Sequence, residues 1–263
     1  MNRYVLLSFD VEEFDMPLEY GFPITAEEQM ELGKKGLDAI GSVLDDEAVQ
    51  TTLFTTANFA QHFPSDIRRL AERHEIASHT FYHSSFRTEH LLQSREKLEE
   101  ISGKKITGLR MPRMKKVAMT DVIQAGYGYD SSINPTWLPG RYNNLHLPRT
   151  VYMDQGMKRM PASVSPGLRI PLFWLSFKNL PYPVFRWLAM QTLKKDGYLC
   201  LYFHPWEFID ISKYGLPAYT RRPDGEVLLT RLRRLIADLK PHAQFTPIRN
   251  FLSTPDRRLQ TPN

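Results

Sequence analysis

The sequence predicts an α/β fold with a parallel sheet, open or closed into a distorted barrel, and three observations carry that prediction. Short apolar runs of strand length alternate along the chain with segments of helical periodicity. The runs are apolar at nearly every position, as strands buried on both faces are. Polar, chemistry-bearing residues fall at the C-terminal ends of these runs, the rim where α/β barrels build their sites. A length of 263 residues suits one barrel, and no composition shift, internal repeat or low-complexity segment divides the chain, so residues 1–263 read as a single domain.

Taken in order, residues 4–9 form the first strand, which runs into the acidic cluster Asp10-Val11-Glu12-Glu13. Thr25-Ala26-Glu27-Glu28 is a capping-box pattern, opening a helix that continues through Leu37, Ile40 and Leu44. Residues 51–55 read as a strand, 67–73 as a short amphipathic helix and 74–77 as the next strand. A helix over 89–101 precedes a strand end at Leu109-Arg110. A helix over 117–125 precedes another strand end at Gly128-Tyr129-Asp130. Residues from about 134 to 183 are rich in Pro, Gly and aromatics and weakly periodic; they are expected to form an insertion or long loop region. Residues 199–203 are a late strand. Leu228, Leu232, Leu235 and Leu239 mark a late amphipathic helix, and residues 245–248 a last strand. The polar tail from Thr254 is expected to fray.

Composition narrows the function classes. The chain is 42% hydrophobic and 24% charged, the balance of a soluble globular domain. A net charge of +5 with no basic tail and no nucleic-acid motif argues against a nucleic-acid partner. The single cysteine, Cys200, lies in an apolar run and reads as a buried structural thiol. It allows neither an internal disulfide nor a thiolate zinc site, so a metal has to be held by His and carboxylates. The N-terminal residues lack a signal-peptide pattern, and no 18-residue apolar run occurs, so a cytoplasmic protein is expected. The aromatic stretch over 171–188 is expected to cover the barrel as core. The alternative is peripheral docking on the inner membrane face, which would suit a lipid-linked substrate.

His79 and His83 stand four residues apart in Ser78-His79-Thr80-Phe81-Tyr82-His83, directly after a strand candidate. On a helical turn that spacing would project both imidazoles to one side, where they can grip one divalent ion. Among eight histidines the spacing alone carries little weight. It gains weight because Asp10, His79, Arg110, Asp130 and His204 each lie at or just beyond the C-terminal end of a strand candidate.

Five segments in order complete the pattern: Ser8-Phe9-Asp10-Val11-Glu12, His79-Thr80-Phe81-Tyr82-His83, Arg110-Met111-Pro112-Arg113, Tyr129-Asp130-Ser131-Ser132 and Leu201-Tyr202-Phe203-His204. Together they resemble the motifs of the metal-dependent carbohydrate N-deacetylases of the polysaccharide deacetylase family, which have the NodB-homology fold. Each motif is short, but the ordered set spans about residues 4–210. Phe9-Asp10-Val11-Glu12 and His204-Pro205-Trp206-Glu207 resemble the subgroup associated with exopolysaccharide synthesis.

The resemblance implies a distorted (β/α)7-type barrel and a mononuclear metal site on Glu12, His79 and His83. Zn²⁺ suits those donors best, and Co²⁺, Ni²⁺ or Fe²⁺ could occupy them. It also implies Asp10 as general base, Arg110 as the arginine that tethers it, and His204 as general acid. Asp130 would be the carboxylate orienting that histidine, and the Arg113 N–H a donor to the developing oxyanion. Pro112, Arg113 and Trp206 would contact substrate.

Two residues depart from the family pattern. Val11 stands where a metal-binding aspartate is common. Alternate strand positions share a face, so Glu12 rather than Glu13 is expected to replace it beside Asp10. Arg113 stands where tyrosine is usual and is either a surface arginine or a contact for an anionic sugar. Trp206 is either a sugar contact or core, and Glu207 either a partner behind the site or a buried salt bridge. The expected activity is removal of an N-acetyl or N-formyl group from an amino sugar of a polysaccharide or lipid-linked glycan. An amidohydrolase on a small linear or cyclic amide, and a non-catalytic sugar-binding protein, are the alternatives.

Overall fold

The structure is a computed structural model and describes residues 2–254. It opens with β1 (Tyr4–Val11), buried from Val5 to its end. A single-turn helix α1 (Met16–Glu19), the longer α2 (Ala26–Ala39) and the short α3 (Gly41–Leu44) follow. Thr25 caps α2 as its sequence suggests, its hydroxyl oxygen accepting the Glu28 N–H at 3.1 Å. The Glu28 carboxylate is engaged elsewhere, accepting the Tyr214 hydroxyl at 3.0 Å. β2 (Thr52–Thr55) leads into α4 (Ala57–His62) and α5 (Pro64–Leu70), and β3 (Glu75–Ser78) into α6 (Glu89–Ser102). β4 (Gly108–Leu109) is followed by a 3₁₀ turn over Pro112–Met114, α7 (Met119–Gln124) and β5 (Tyr129–Asp130).

Residues 134–183 are not simply an insertion, because they supply part of the sheet. They hold two hairpins, β6 (Trp137–Leu138) with β7 (Tyr142–Asn143) and β8 (Tyr152–Asp154) with β9 (Met157–Arg159). β9 pairs in parallel with β5. Strands this short leave no alternation for a sequence pattern to register. After α8 (Trp174–Asn179) and α9 (Tyr182–Asp196) the chain enters β10 (Tyr198–Phe203) and a second 3₁₀ turn over Pro205–Phe208. The last elements are α10 (Ala218–Arg221), α11 (Gly225–Leu239), β11 (Gln244–Phe245) and α12 (Ile248–Leu252). The strand expected over 245–248 is thus cut short: extended Pro247 is the N-cap of α12, and Ile248 already belongs to the helix. The tail expected to fray from Thr254 lies, past that residue, outside the described residues.

The main sheet runs β10-β1-β2-β3-β4-β5-β9-β8, with β11 paired to the start of β1. Its strand pairs are parallel apart from β8 against β9. It curls toward closure through Ser163, past β9. The Ser163 N–H donates to the Cys200 carbonyl at 2.9 Å, and its hydroxyl accepts the Cys200 N–H at 2.8 Å. This is the distorted α/β barrel the sequence predicts.

Period two along β1 sorts its side chains. Val5, Leu7, Phe9 and Val11 pack outward under the helices. Leu6 joins Phe54, Ala77, Cys200, Ile248 and Phe251 in the interior. Further along the same inner face come Ser8 and Asp10, both buried and polar. The interior therefore changes from apolar to polar toward the C-terminal strand ends. The aromatic stretch over 171–188 mostly packs on the outside of the barrel, Phe177 meeting Phe203 and Phe185 at ring distances of 5.1 and 5.0 Å. Val184 and Trp187 remain exposed. No described helix is long and apolar enough to cross a membrane.

Candidate metal and catalytic centre

Asp10 is the next-to-last residue of β1, His79 follows β3, Arg110 follows β4, and His204 follows β10, so parallel strands of one sheet deliver these side chains to one rim. Glu12, His79 and His83 form a cluster whose ligand atoms all lie within 4.8 Å of one another. Glu12 Oε2 is 3.0 Å from His79 Nε2 and 3.2 Å from His83 Nε2. His79 Nδ1 lies 2.8 Å from the Arg110 carbonyl. A carbonyl only accepts, so Nδ1 carries the hydrogen and Nε2 presents a lone pair to the cluster. His83 Nδ1 faces the Asp15 carboxylate at 2.7 Å, which orients its ring in the same way. Glu12 Oε1 accepts the Trp206 indole N–H at 3.1 Å, while Oε2 is buried with no hydrogen-bond partner. A buried carboxylate oxygen facing two imidazole nitrogens fits a divalent cation.

The electrostatics agree. Burial favours the neutral form of Glu12, but His83, His79 and His204 outweigh it and hold the carboxyl well below its usual range. Burial would also lower His83, yet Glu12 and Asp15 hold it up at about 9. The cluster draws positive charge, whether a proton or a metal.

The backbone that brings His79 and His83 together is not a helical turn. Residues 79–83 form a loop in which Thr80 takes φ of 61°. The first N–H groups of α4 hold it, Ala57 donating to the Thr80 carbonyl at 3.0 Å and Asn58 to Phe81 at 2.9 Å. Glu13, the rejected ligand, accepts from the Thr56 hydroxyl at 2.7 Å and the Asn58 amide at 2.5 Å. It thereby ties the end of β1 to α4 and is turned away from the cluster. Two glycines of α2 admit the loops from the other side. A Cβ on Gly33 would come within 2.4 Å of the Glu12 carbonyl, and one on Gly36 within 2.5 Å of the Trp206 backbone nitrogen.

The proton-transfer candidates lie beside this cluster. Arg110, wholly buried, donates to Asp10 Oδ1 at 2.7 Å, to the Ser8 hydroxyl at 3.0 Å and to Ser131 Oγ at 3.0 Å. Its guanidinium lies over the Phe54 ring at 4.0 Å. The arginine thus fixes the position of the carboxylate. His204 Nε2 faces Asp10 Oδ2 at 3.9 Å.

The carboxylate on the other nitrogen of His204 is Glu207, not Asp130. Glu207 Oε1 accepts from the His204 N–H at 2.8 Å and lies 3.0 Å from Nδ1. Asp130 instead accepts from Arg159 at 3.0 Å and from the Ser132 hydroxyl at 2.5 Å. Ser132 Oγ in turn accepts the Met111 N–H at 2.8 Å, so Asp130 shapes the wall of the site. Burial alone would lower His204, but Glu207, Glu12 and Asp10 raise it.

The expected substrate contacts also shift. Trp206 is buried, bound to Glu12 and stacked on His204 at 4.8 Å, so no free face is left for a sugar. Arg113 has φ of 55° and pairs with Asp15 at 3.0 Å and with Glu19, its charge being spent on the carboxylate that orients His83. Pro112 is buried at the start of the 3₁₀ turn. Met16, Met111, Met114, Leu138, Phe173 and Trp174 supply apolar walls to the pocket that holds Asp10, His79 and His204. Asn134, whose amide nitrogen donates to the Tyr142 and Tyr202 hydroxyls at 2.9 and 3.0 Å, is a wall residue the sequence did not single out. Asp15 was missed as well. Its place three residues past Glu12 in an acidic cluster was the available signal.

The family model for polysaccharide deacetylases matches residues 3–131, which include Asp10, Glu12, His79, His83, Arg110 and Asp130. Among solved structures the chain is similar to one from Mycobacterium smegmatis assigned as a polysaccharide deacetylase. The identity is 20% over 100% of this chain and 96% of that one, with a TM-score of 0.63. A chain from Pseudomonas aeruginosa PAO1 with the same assignment is similar at 16% identity over 94% and 88%, TM-score 0.62. Puue allantoinase is similar at 16% identity over 97% and 92%, TM-score 0.64. These structural likenesses speak to the fold. No curated protein matches the chain.

Proposed function

The chain belongs to the polysaccharide deacetylase family through residues 3–131, and on that premise we propose that it is a metal-dependent hydrolase removing an N-acetyl group from an amino sugar of a polysaccharide or lipid-linked glycan. One observation carries the reading: a tethered carboxylate, Asp10, and a carboxylate-backed imidazole, His204, face each other at 3.9 Å beside the Glu12, His79 and His83 cluster. Amide hydrolysis needs an activated water, charge stabilisation at the carbonyl and a proton for the leaving nitrogen. A divalent cation on that cluster supplies acidity to a water and polarises a carbonyl.

The chain's own groups do the rest. Arg110 binds Asp10 Oδ1 and aims the carboxylate, so Asp10 Oδ2 is left to take the proton of the attacking water. The Arg113 N–H, at the pocket wall, is the candidate donor to the developing oxyanion. His204 Nε2 gives the proton to the departing amine, with Glu207 balancing the imidazolium charge.

The test is acetate release from an N-acetylglucosamine oligomer by zinc-loaded protein. Asp10→Asn and His204→Ala are each expected to lower kcat by about 10²- to 10⁴-fold with metal content unchanged. A wild-type protein that holds zinc but releases no acetate from glycans would refute the reading. Hydrolysis of a small ureide or cyclic amide under the same conditions would favour the second one. The apolar wall of Met16, Met111, Met114 and Leu138 gives that alternative its support, since it suits a compact substrate as well as a sugar chain.

A further inference from the structure

Behind His204 the structure holds a buried pair of opposite charges. Glu207 is wholly buried and Lys178, on α8, is 4% exposed. The Lys178 ammonium lies 3.3 Å from Glu207 Oε2, donates to the Thr220 carbonyl at 2.8 Å and sits 5.7 Å over the Trp174 ring. Glu207 divides its oxygens between two tasks. Oε1 holds both the backbone N–H and Nδ1 of His204, whereas Oε2 makes no hydrogen bond and has the ammonium as its charge partner.

Stability does not explain such a pair. Burying two charges costs several kcal/mol per ion, and well-packed apolar residues of the same volume often do as well or better. The surroundings would accept them: Phe177 beside Lys178 and Phe208 beside Glu207 are both buried. Glu207 is instead explained by what it holds, since Asp130 is committed to Arg159 and Ser132. Lys178 remains to be explained.

We propose that Lys178 is a positioning residue for the general acid, holding the Glu207 carboxylate in place so that the His204 ring keeps Nδ1–H on Glu207 and Nε2 toward Asp10. Without the ammonium, Glu207 Oε2 would be a buried carboxylate oxygen with no partner, and the carboxylate would turn to find one. That turn frees Nδ1 and lets the ring rotate or change tautomer. The role of His204 as acid rests on the function proposed above, whereas the orientation of its ring does not, and the experiment separates the two.

The experiment compares wild type, Lys178→Met, Glu207→Gln and the double variant, all zinc-loaded. The first readout, independent of any substrate, is the ring-nitrogen NMR signature of His204 in ¹⁵N-histidine-labelled protein. Lys178→Met is expected to move the Nδ1 signal from that of a single hydrogen-bonded N–H toward tautomer averaging. The second readout is acetate release from an N-acetylglucosamine trimer. Lys178→Met is expected to lower kcat about 10- to 100-fold at constant KM, a fraction of the whole general-acid effect. The double variant, in which no charge is left unpaired, should match Glu207→Gln in kcat, because Lys178 acts only through Glu207. It also carries the test should Lys178→Met fold poorly. An unmoved His204 signal in a folded Lys178→Met protein overturns the proposal, as does a double variant whose loss is the product of the two single losses. Failure of wild type to hydrolyse the trimer would count against the proposed function and leave the NMR result to decide on Lys178.

Discussion

The two histidine systems of the pocket are built alike and placed differently. On the metal side, His83 is oriented by Asp15, and Arg113 stands behind Asp15. On the acid side, His204 is oriented by Glu207, and Lys178 stands behind Glu207. Both are imidazole–carboxylate–cation chains. The cation differs in setting: the Arg113 side chain is 35% exposed and shared with Glu19, whereas the Lys178 side chain is fully buried. A cation in contact with water adds little to stability and can be lost cheaply. A buried one cannot be removed without leaving its partner uncompensated. The geometry of the acid is therefore bound to the integrity of the core, while that of the metal ligand is bound to a partly exposed side chain and a loop.

Substitutions that strip one member from each chain test this contrast. The largest expected effect is on the acid side: Lys178→Ala should destabilise the fold by about 3–5 kcal/mol, read as a fall in the urea midpoint. Arg113→Ala should cost about 0–1 kcal/mol, since Arg113 is in contact with water and Asp15, though buried, keeps His83 as a partner. Equal losses would erase the distinction. Next in size, Asp15→Asn should weaken zinc affinity by roughly 10- to 100-fold in a competition titration with a chelator, because His83 loses the carboxylate charge behind its ring and the amide NH2 opposes the Arg113 donor. Glu207→Gln should leave zinc affinity nearly unchanged, and a comparable loss in both would mean that the two systems are one. The smallest effect on chemistry is expected from Asp130→Asn. It should leave the His204 ring-nitrogen signature in place while lowering stability through Arg159 and Ser132, and a shifted signature would restore Asp130 as the orienting carboxylate.

The contrast also marks where the sequence was readable. Asp10, Arg110, His79 and His204 could be placed because they follow apolar runs, and a strand end in a parallel sheet fixes where the next side chain goes. Glu12 followed from period two, since it falls two residues past Asp10 on the same face. His79 and His83 do lie together, but not by the route their spacing suggested. The spacing suggested a helical turn, whereas a loop with left-handed Thr80, held by α4, does the work. Orientation by a distant partner was not legible. Asp130 and Glu207 are both acidic and both near the rim, and only the tertiary path of the chain sends one to Arg159 and the other to His204. Lys178 gave no signal within its aromatic stretch, because burial of a lysine depends on a partner 29 positions further along the chain. β8 and β9 escaped notice because three residues show no period.

The central claim is that Glu12, His79 and His83 hold a metal, and elemental mass spectrometry on untagged wild type, Glu12→Ala and His79→Ala tests it most directly. The account predicts near one divalent metal per chain in wild type and almost none in either variant. Metal retained in Glu12→Ala would take the carboxylate role from Glu12, and a wild type that stays empty after reconstitution with zinc would contradict the account as a whole.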